Sequence, residues 1–281
     1  MKALSVQVRF LVMLLFLALG GTGCTVGGGG GTDIGPLVDD TRAQWQLVDL
    51  ETGAATPLAE VVDFNAAALR DRYMLFRMVP PAQVVIGQAP RSFAQQDDET
   101  LRSITRPACY IAVFETTRAQ WQRLAGSAPW TGSAIGGLEG AGGSDLPATG
   151  VGLAQVQGAL ADWNRKRNGR LGIPSAELWE GAARAGTTTT FPWGESRARD
   201  TVDAQAITWE ASVTGPQPVG SRAANALGLY DVVGNAWELT DDGMARGGSW
   251  TDGLALARPA NHREVPSDGW ATVGVRLIWD P

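Results

Sequence analysis

The stretch Gly228-Leu-Tyr-Asp-Val-Val-Gly-Asn-Ala-Trp-Glu238 carries more information about the fold than any other part of this chain. Two acidic residues, Asp231 and Glu238, lie on either side of a Gly-Asn pair that is typical of a tight turn. No cationic residue lies near them in the sequence. Two carboxylates held together by a turn suit a hard cation such as Ca²⁺, which takes about six to eight oxygen ligands. The alternative is that both acids only accept hydrogen bonds from N–H groups of the turn.

Further segments flank this stretch in a fixed order. They are Met78-Val-Pro-Pro-Ala-Gln-Val-Val-Ile-Gly87, Tyr110-Ile-Ala-Val-Phe-Glu-Thr-Thr-Arg-Ala-Gln-Trp121, Leu171–Gly186, Phe191-Pro-Trp-Gly194, Pro218-Val-Gly-Ser221, Arg246-Gly-Gly-Ser-Trp250 and Val273-Gly-Val-Arg-Leu277. In this order they resemble the sulfatase-modifying-factor family, over about Leu75–Trp279. The resemblance implies an α+β protein, a formylglycine-generating-enzyme-like variant of the C-type lectin fold with little regular secondary structure.

The resemblance also implies a set of calcium ligands. In the family, the positions that match Asp231 and Glu238 bind calcium through their side chains. The positions that match Gly234 and Ala236 bind it through their backbone carbonyls. A second calcium site of the family is expected within Glu195–Ser212, and its ligands are left open.

The residues required for the family's oxidative chemistry are missing. Its enzymes convert a substrate cysteine to formylglycine and bind copper(I) with two thiolates just after the Gly-Gly-Ser segment, since soft ligands suit that ion. Here Trp250–His262 contains no cysteine, and the two cysteines of the chain are Cys24 and Cys109. We therefore expect neither copper nor formylglycine formation. One histidine also excludes the His triad of the family's iron-dependent sulfoxide synthases.

Three functions remain open. The first is a non-catalytic binding or scaffolding module with a groove formed by Ser249, Trp250, Asp252, His262 and Arg263, which would hold an envelope protein or a peptide. The second is a family enzyme with unrecognised chemistry in that groove. The third is a diversity-generating display protein that varies residues 251–268. A Ser249/His262/Asp252 hydrolase can be written down, but no nucleophile elbow or spacing supports it.

The N-terminus predicts an export signal. Met1–Arg9 is basic, Phe10–Leu19 is apolar, and Gly20–Gly23 leads to Cys24. An apolar run this short is typical of a signal peptide. The small residues before Cys24 resemble the lipoprotein cleavage site, which implies lipidation of Cys24 and a location at the bacterial outer membrane. The alternative is a plain secretory signal and a secreted protein.

Composition supports one globular domain after a tether. We assign 1–23 to the signal, 24–35 to a Gly-rich tether, 36–74 to an N-terminal extension and 75–281 to the main domain. The net charge is −6, and it is −8 without the first 23 residues, which carry two basic residues and no acid. Nucleic-acid binding is thereby disfavoured, because it needs a basic face that releases counterions from phosphates.

Apolar periodicity predicts a few regular elements. A helix is expected over Gly152–Arg167, and another begins after an N-cap at Ser175 and stops at Gly186. Strands are expected at Met74–Val79, Gln83–Ile86, Cys109–Phe114 and Val273–Ile278, and a long Gly-rich loop at Gly126–Gly150. Eleven tryptophans are expected to supply core in a fold poor in regular structure.

Overall fold

The computed structural model describes residues 43–61, 63–132, 143–211 and 213–280. The predicted signal, Cys24 and the tether lie outside these residues. None of the helices in the described ranges is both long enough and apolar enough to span a bilayer. Mixed short elements confirm the α+β class, in this order: β1 (Trp45–Asp49), β2 (Ala55–Leu58), β3 (Tyr73–Val79), β4 (Ala82–Ile86), β5 (Arg102–Arg106), β6 (Cys109–Ala112), α1 (Arg118–Ala125), α2 (Leu153–Arg167), β7 (Leu171–Gly172), α3 (Ala176–Arg184), α4 (Arg199–Gln205), β8 (Trp237–Leu239), β9 (Met244–Arg246), β10 (His262–Glu264), β11 (Val273–Gly274) and β12 (Ile278–Trp279).

The largest sheet has the strand order β2-β1-β3-β6-β12-β7, with antiparallel neighbours throughout. Its register pairs Leu47 with Leu75, and Phe76 with Ala112. The described part of the predicted N-terminal extension supplies β1 and β2, and Val48 and Leu50 are fully buried. This extension is therefore an integral part of the sheet.

A smaller sheet carries the segments that follow the predicted metal loop. Its order is β10-β9-β8-β11, and only the β8–β11 pair is parallel. A third, two-stranded sheet is formed by β4 and β5. The two larger sheets are linked by the chain between β11 and β12, so the C-terminal residues join both.

The two helices predicted from the sequence, α2 and α3, begin and end within a residue or two of the expected positions. Thr117 caps α1 in a capping box with Gln120, which satisfies otherwise unpaired N–H groups at the helix start. Gly152 is the N-cap of α2, and Val156, Leu160 and Trp163 are its buried residues, as the periodicity predicts. Ser175 caps α3 by accepting from the Leu178 N–H at 3.2 Å. Ala185 then adopts the left-handed conformation that ends this helix.

One predicted strand is wrong, because it was expected to be continuous and is divided in two. Val273–Ile278 was expected to be continuous, but β11 and β12 are two separate two-residue strands. The chain between them crosses from one sheet to the other, and Arg276 in this crossing is fully buried. A buried guanidinium needs several acceptors at once, which a continuous strand ladder could not offer at that point.

Tryptophan supplies much of the core, as the composition suggests. The buried tryptophans are Trp121, Trp130, Trp163, Trp179, Trp237, Trp250 and Trp279. They are large enough to fill space between elements that are too short to interdigitate regularly. Trp209 is the clear exception, with 73% of its surface exposed.

Candidate functional site

The predicted metal loop is a backbone turn with an unusual conformation. Asp231 and Asn235 have positive φ angles of 56° and 61°, in the left-handed region that Asp and Asn tolerate better than most residues. Gly234 has φ +85°, and a Cβ there would lie 2.0 Å from the carbonyl oxygen of Ile207. Only glycine fits at this position. The turn therefore brings Asp231 and Glu238 towards one buried region.

Glu238 is held by a fully buried arginine. Arg276 Nε and Nη2 donate to Oε2 and Oε1 of Glu238 at 2.9 and 2.6 Å. The indole Nε1 of Trp179 also donates to Oε2, at 2.5 Å. Arg276 donates further to the backbone carbonyls of Ala112, Val113 and Tyr230. Burial disfavours the charge of Arg276, but the contact with Glu238 outweighs it and keeps the pKa of Arg276 above its ordinary value.

A third acid, Glu115, lies in the same cluster, and the sequence analysis did not identify it. Its Oε2 accepts from Asn235 Nδ2 at 2.6 Å, and its Oε1 accepts from the Ala236 N–H at 2.9 Å. Burial, followed by the charges of Asp231 and Glu238, raises the pKa of Glu115 well above its ordinary value. The available signal was an acid at the end of the apolar run Tyr110–Phe114, just before the helix cap.

Asp231 has one oxygen without a partner. Its Oδ2 accepts from the Gly220 N–H at 2.5 Å. Its Oδ1 is buried and accepts no hydrogen bond, which is costly for a carboxylate. Burial raises the pKa of Asp231 to about 6, because the hydrogen bond from Gly220 and the charge of Arg276 compensate only in part. A buried carboxylate oxygen of this kind gains from any donor or cation that reaches it.

Whether a calcium ion fits here depends on the carboxylate lone-pair positions of Asp231 and Glu238 that no hydrogen-bond donor occupies. A carboxylate offers about four lone-pair positions. Three donors occupy Glu238, so about one position is left there, and Asp231 Oδ1 is free. Groups of three or more His, Cys, Asp or Glu residues able to hold a metal are not found in the described ranges. The predicted site needs only two carboxylates, Asp231 and Glu238, together with the carbonyls of Gly234 and Ala236. The unpaired oxygen of Asp231 fits such a cation.

The loop after the Gly-Gly-Ser segment is closed by internal hydrogen bonds. Asp252 Oδ2 accepts from Trp237 Nε1 at 2.8 Å, from the Ser249 N–H at 3.0 Å and from the Ser249 hydroxyl. Gly248 has φ +73°, and a Cβ there would lie 2.6 Å from the Cα of Ala257. This close approach packs the two ends of the loop together.

The predicted groove residues are only partly brought together at a surface. Ser249 is fully buried and Trp250 is 8% exposed, so both support the loop from inside because their neighbours pack over them. Arg263 is exposed and its guanidinium lies 4.2 Å from the Trp270 ring centroid. His262 does line a cavity, of about 380 Å³, together with Glu180 and Arg246.

The residues of the hydrolase alternative are not assembled as a triad. Ser249 forms hydrogen bonds with Asp252 and Thr251, whereas His262 Nε2 lies 3.3 Å from a carboxylate oxygen of Asp98.

Cys109 is on β6, where it pairs in register with Val79.

The stretch proposed for sequence display, residues 251–268, is only partly exposed. Arg258 is fully buried and donates to both oxygens of Glu99 and to Gln88. Free variation at Arg258 would leave Glu99 buried without its cation.

The comparisons with known proteins agree on family and fold. A family profile described as "Sulfatase-modifying factor enzyme 1-like domain" matches residues 74–281. The formylglycine-generating enzyme of Mycobacterium tuberculosis is 36% identical over 92 residues, which cover 29% of each chain. The inactive C-alpha-formylglycine-generating enzyme 2 of Bos taurus is 33% identical over 122 residues, which cover 37% of this chain and 38% of the relative. The chain therefore matches well under half the length of either protein.

Two solved structures share the fold over most of the described chain. The structure of PvdO from Pseudomonas aeruginosa has a TM-score of 0.64 and 21% identity, covering 74% of this chain and 94% of that one. Treponema denticola variable protein 1 has a TM-score of 0.62 and 16% identity, covering 74% and 96%. At these identities the likeness concerns the fold alone.

Proposed function

The chain belongs to the sulfatase-modifying factor family, with a formylglycine-generating-enzyme-like variant of the C-type lectin fold, and we propose that it is a non-catalytic binding module. One observation carries this proposal. The loop that follows the Gly-Gly-Ser segment contains no thiol, and its central carboxylate, Asp252, is fixed by three donors from Trp237 and Ser249. A copper(I) site of two thiolates cannot form there.

The matched relatives include proteins named as enzymes and proteins named as inactive. One matched relative bears the name formylglycine-generating enzyme, and another is called inactive. Because Cys109 is on β6 and Cys24 is at the predicted tether, this chain groups by its chemistry with the inactive kind. An enzyme with other chemistry near His262 is the second candidate. The observation in its favour is the cavity that His262 lines with Arg246, whose buried Nε has no hydrogen-bond partner.

Calcium is part of the proposal as a structural ion. Asp231 Oδ1 and the remaining position on Glu238 would hold it, with carbonyl oxygens of Gly234 and Ala236. A cation would compensate the charge of Asp231, which burial otherwise disfavours. Its role would be to stabilise the turn, because binding free energy of the folded state adds to stability.

Attachment to the envelope completes the proposal. Lipidation of Cys24 would tether the domain to the bacterial outer membrane, and the exposed surface around Arg263 would hold an envelope protein or peptide. A signal peptide followed by a Gly-rich stretch supports this arrangement. Radiolabelled palmitate should be incorporated by the full chain and lost in Cys24→Ser; no incorporation by the wild type, or incorporation that persists in Cys24→Ser, would refute lipidation of Cys24.

The experiment for the non-catalytic role has a chemical arm and a binding arm. The purified protein is titrated with copper(I) and assayed for oxygen consumption with a cysteine-containing peptide, with the Mycobacterium tuberculosis enzyme as positive control. We expect no copper(I) binding and no oxygen uptake. Tight copper binding together with oxygen uptake would establish the enzyme instead.

The binding arm uses a photo-crosslinker placed at Arg263 in cells. The matched control is Arg165, which is equally a surface arginine but lies on α2, with 75% of its side chain exposed. A protein adduct that forms from position 263 and not from position 165 supports binding at the surface around Arg263. Identical adducts from both positions, or none from 263, would count against it.

A further inference from the structure

Trp209 is an unusual residue in a protein that buries most of its tryptophans. It begins the short 3-10 helix Trp209–Ala211, and 73% of its surface is exposed. Its N–H donates to the Asp252 carbonyl oxygen at 2.9 Å, so the backbone that carries the indole is fixed. An exposed indole has only two side-chain torsions, so it gives up little conformational entropy when a ligand covers it, which makes it an effective contact residue.

The indole forms one wall of a cleft of about 280 Å³. The cleft is lined by Arg197, Arg199, Val202, Trp209, Glu210 and Leu254. Val202 and Leu254 are buried and give the cleft an apolar floor. The guanidinium of Arg197 lies 4.2 Å from the Phe93 ring centroid, which holds it in place without a carboxylate.

Glu210 provides an acceptor in the same cleft. Its Oε1 accepts from the Leu254 N–H at 3.1 Å, while its Oε2 is shielded from solvent and has no hydrogen-bond partner. An unsatisfied carboxylate oxygen is costly and gains from any donor that reaches it. Glu210 lines the cleft, and its Oε1 accepts only one hydrogen bond from the described residues, so a second acceptor position on this oxygen is available to a ligand donor.

These groups define the chemistry of an occupant. It must cover a flat indole, donate to Glu210 and accept from Arg197. A hydroxyl group does both, since it has one donor and two acceptor lone pairs. Arg197 and Glu210 carry opposite charges, and the second arginine of the lining, Arg199, is paired with Asp203 at 2.7 Å, so the cleft favours a neutral ligand over a charged one. We propose that this cleft binds a neutral pyranose ring of a saccharide, with one ring face on Trp209.

Two other ligand classes fit less well. An extended peptide is usually held through the free edge of a strand, but α4 and a 3-10 helix line this cleft. A nucleotide would bring phosphate charge to a chain with a net charge of −6 and to the carboxylate of Glu210. This proposal extends the binding role proposed above to a second surface. The copper and oxygen assays do not involve this cleft, so either proposal can fail alone.

The test is calorimetric titration of the full chain with three neutral trisaccharides: maltotriose, cellotriose and N-acetylchitotriose. At least one should bind saturably. Trp209→Ala and Glu210→Gln should each weaken binding by about tenfold, while Trp209→Phe should retain part of the affinity. The matched control is Leu256→Ala, which removes another exposed apolar side chain, 38% exposed, that does not line the cleft.

Several results would overturn the proposal. They are an absence of saturable binding by all three sugars, or sugar binding that is unchanged in Trp209→Ala. Binding of an uncharged tetrapeptide or of adenosine monophosphate that requires Trp209 while sugars do not bind would assign the cleft to another ligand. Circular dichroism melts that match the wild type will show that the variants remain folded.

Discussion

Two regions of this molecule are held together by different forces. Around the six-stranded sheet the large buried side chains are apolar, such as Phe76, Trp121 and Trp163. Around α3 and the loops of the smaller sheet, the largest fully buried side chains include three arginines. They are Arg184, Arg258 and Arg276, which contact Glu180, Glu99 and Glu238 respectively.

The difference shows how a loop-rich region can still have one conformation. Strands and helices satisfy their own backbone groups, so apolar packing is enough on the sheet side. Loops leave carbonyl groups unpaired, and a guanidinium with five donors can bind several of them at once. Arg276 binds three carbonyls and Glu238, which joins β6, the metal loop and the β11–β12 crossing. We infer that the buried ion pairs determine conformation more than they add stability.

The largest effect is expected on the sheet side. Deletion of residues 1–72 removes β1 and β2, and with them Val48 and Leu50 from the core, although the family profile begins at residue 74. We expect no cooperative unfolding transition in urea, because β3 loses one of its two partner strands and the core loses two fully buried side chains. The control Thr56→Ala, in an exposed position of β2, should unfold like the wild type. A cooperative transition in the deleted chain would show that the extension is dispensable.

The next-largest effect is expected when a buried ion pair on the loop side, Arg276 with Glu238, is broken by substitution. Arg276→Ala removes two of the three donors to Glu238 and the donors to three carbonyls, and should lower the free energy of unfolding by about 3–5 kcal/mol. The measurement is urea unfolding followed by tryptophan fluorescence. Arg165→Ala removes an exposed ion pair with Asp162 and should change little. Equal stability of the two variants would remove the distinction between the regions.

Calcium should stabilise the protein through its proposed site on the loop side. At about 100 times its Kd, calcium should add about 2.7 kcal/mol to the stability, and a chelator should reverse the gain. Asp231→Ala should abolish this response, because it removes the only oxygen of Asp231 that has no partner. Asp241→Ala, which removes an exposed acid beyond β8, should respond like the wild type. A wild-type melting temperature that calcium and chelator leave unchanged would refute the metal prediction.

The smallest effects concern the helix caps, one in each region. Thr117→Ala removes a capping box and a hydroxyl that donates to the Arg70 carbonyl at 2.6 Å, whereas Ser175→Ala removes a single capping bond. Both should cost about 0.5–2 kcal/mol, with the larger loss for Thr117. Thermal melts of the two variants can rank them, and the reverse order would mean that the Arg70 contact contributes nothing.

Local patterns predicted part of the regular structure, namely α2, α3, β3, β4 and β6, whereas α4, β5 and β7–β10 were not predicted. The bounds of α2, the Ser175 cap of α3 and the strands at Tyr73–Val79 and Ala82–Ile86 follow from periodicity, capping and turn residues, which act within a few positions of the chain. Strands β1 and β2 were not predicted. Their pairing is with each other and with β3, so their signal lies partly outside their own residues.

The sequence alone determined the family, the positions of α2 and α3 and the absence of thiols after Ser249, because each of these depends on residue identity in order. Only the tertiary structure decided that Glu115 joins Asp231 and Glu238, that Arg276 lies among them, and that Trp209 faces solvent beside Glu210. Burial and charge pairing act between residues far apart in the chain: Arg276 and Glu238 are 38 positions apart, and Glu115 and Ala236 are 121 apart. No local pattern specifies which of them will meet.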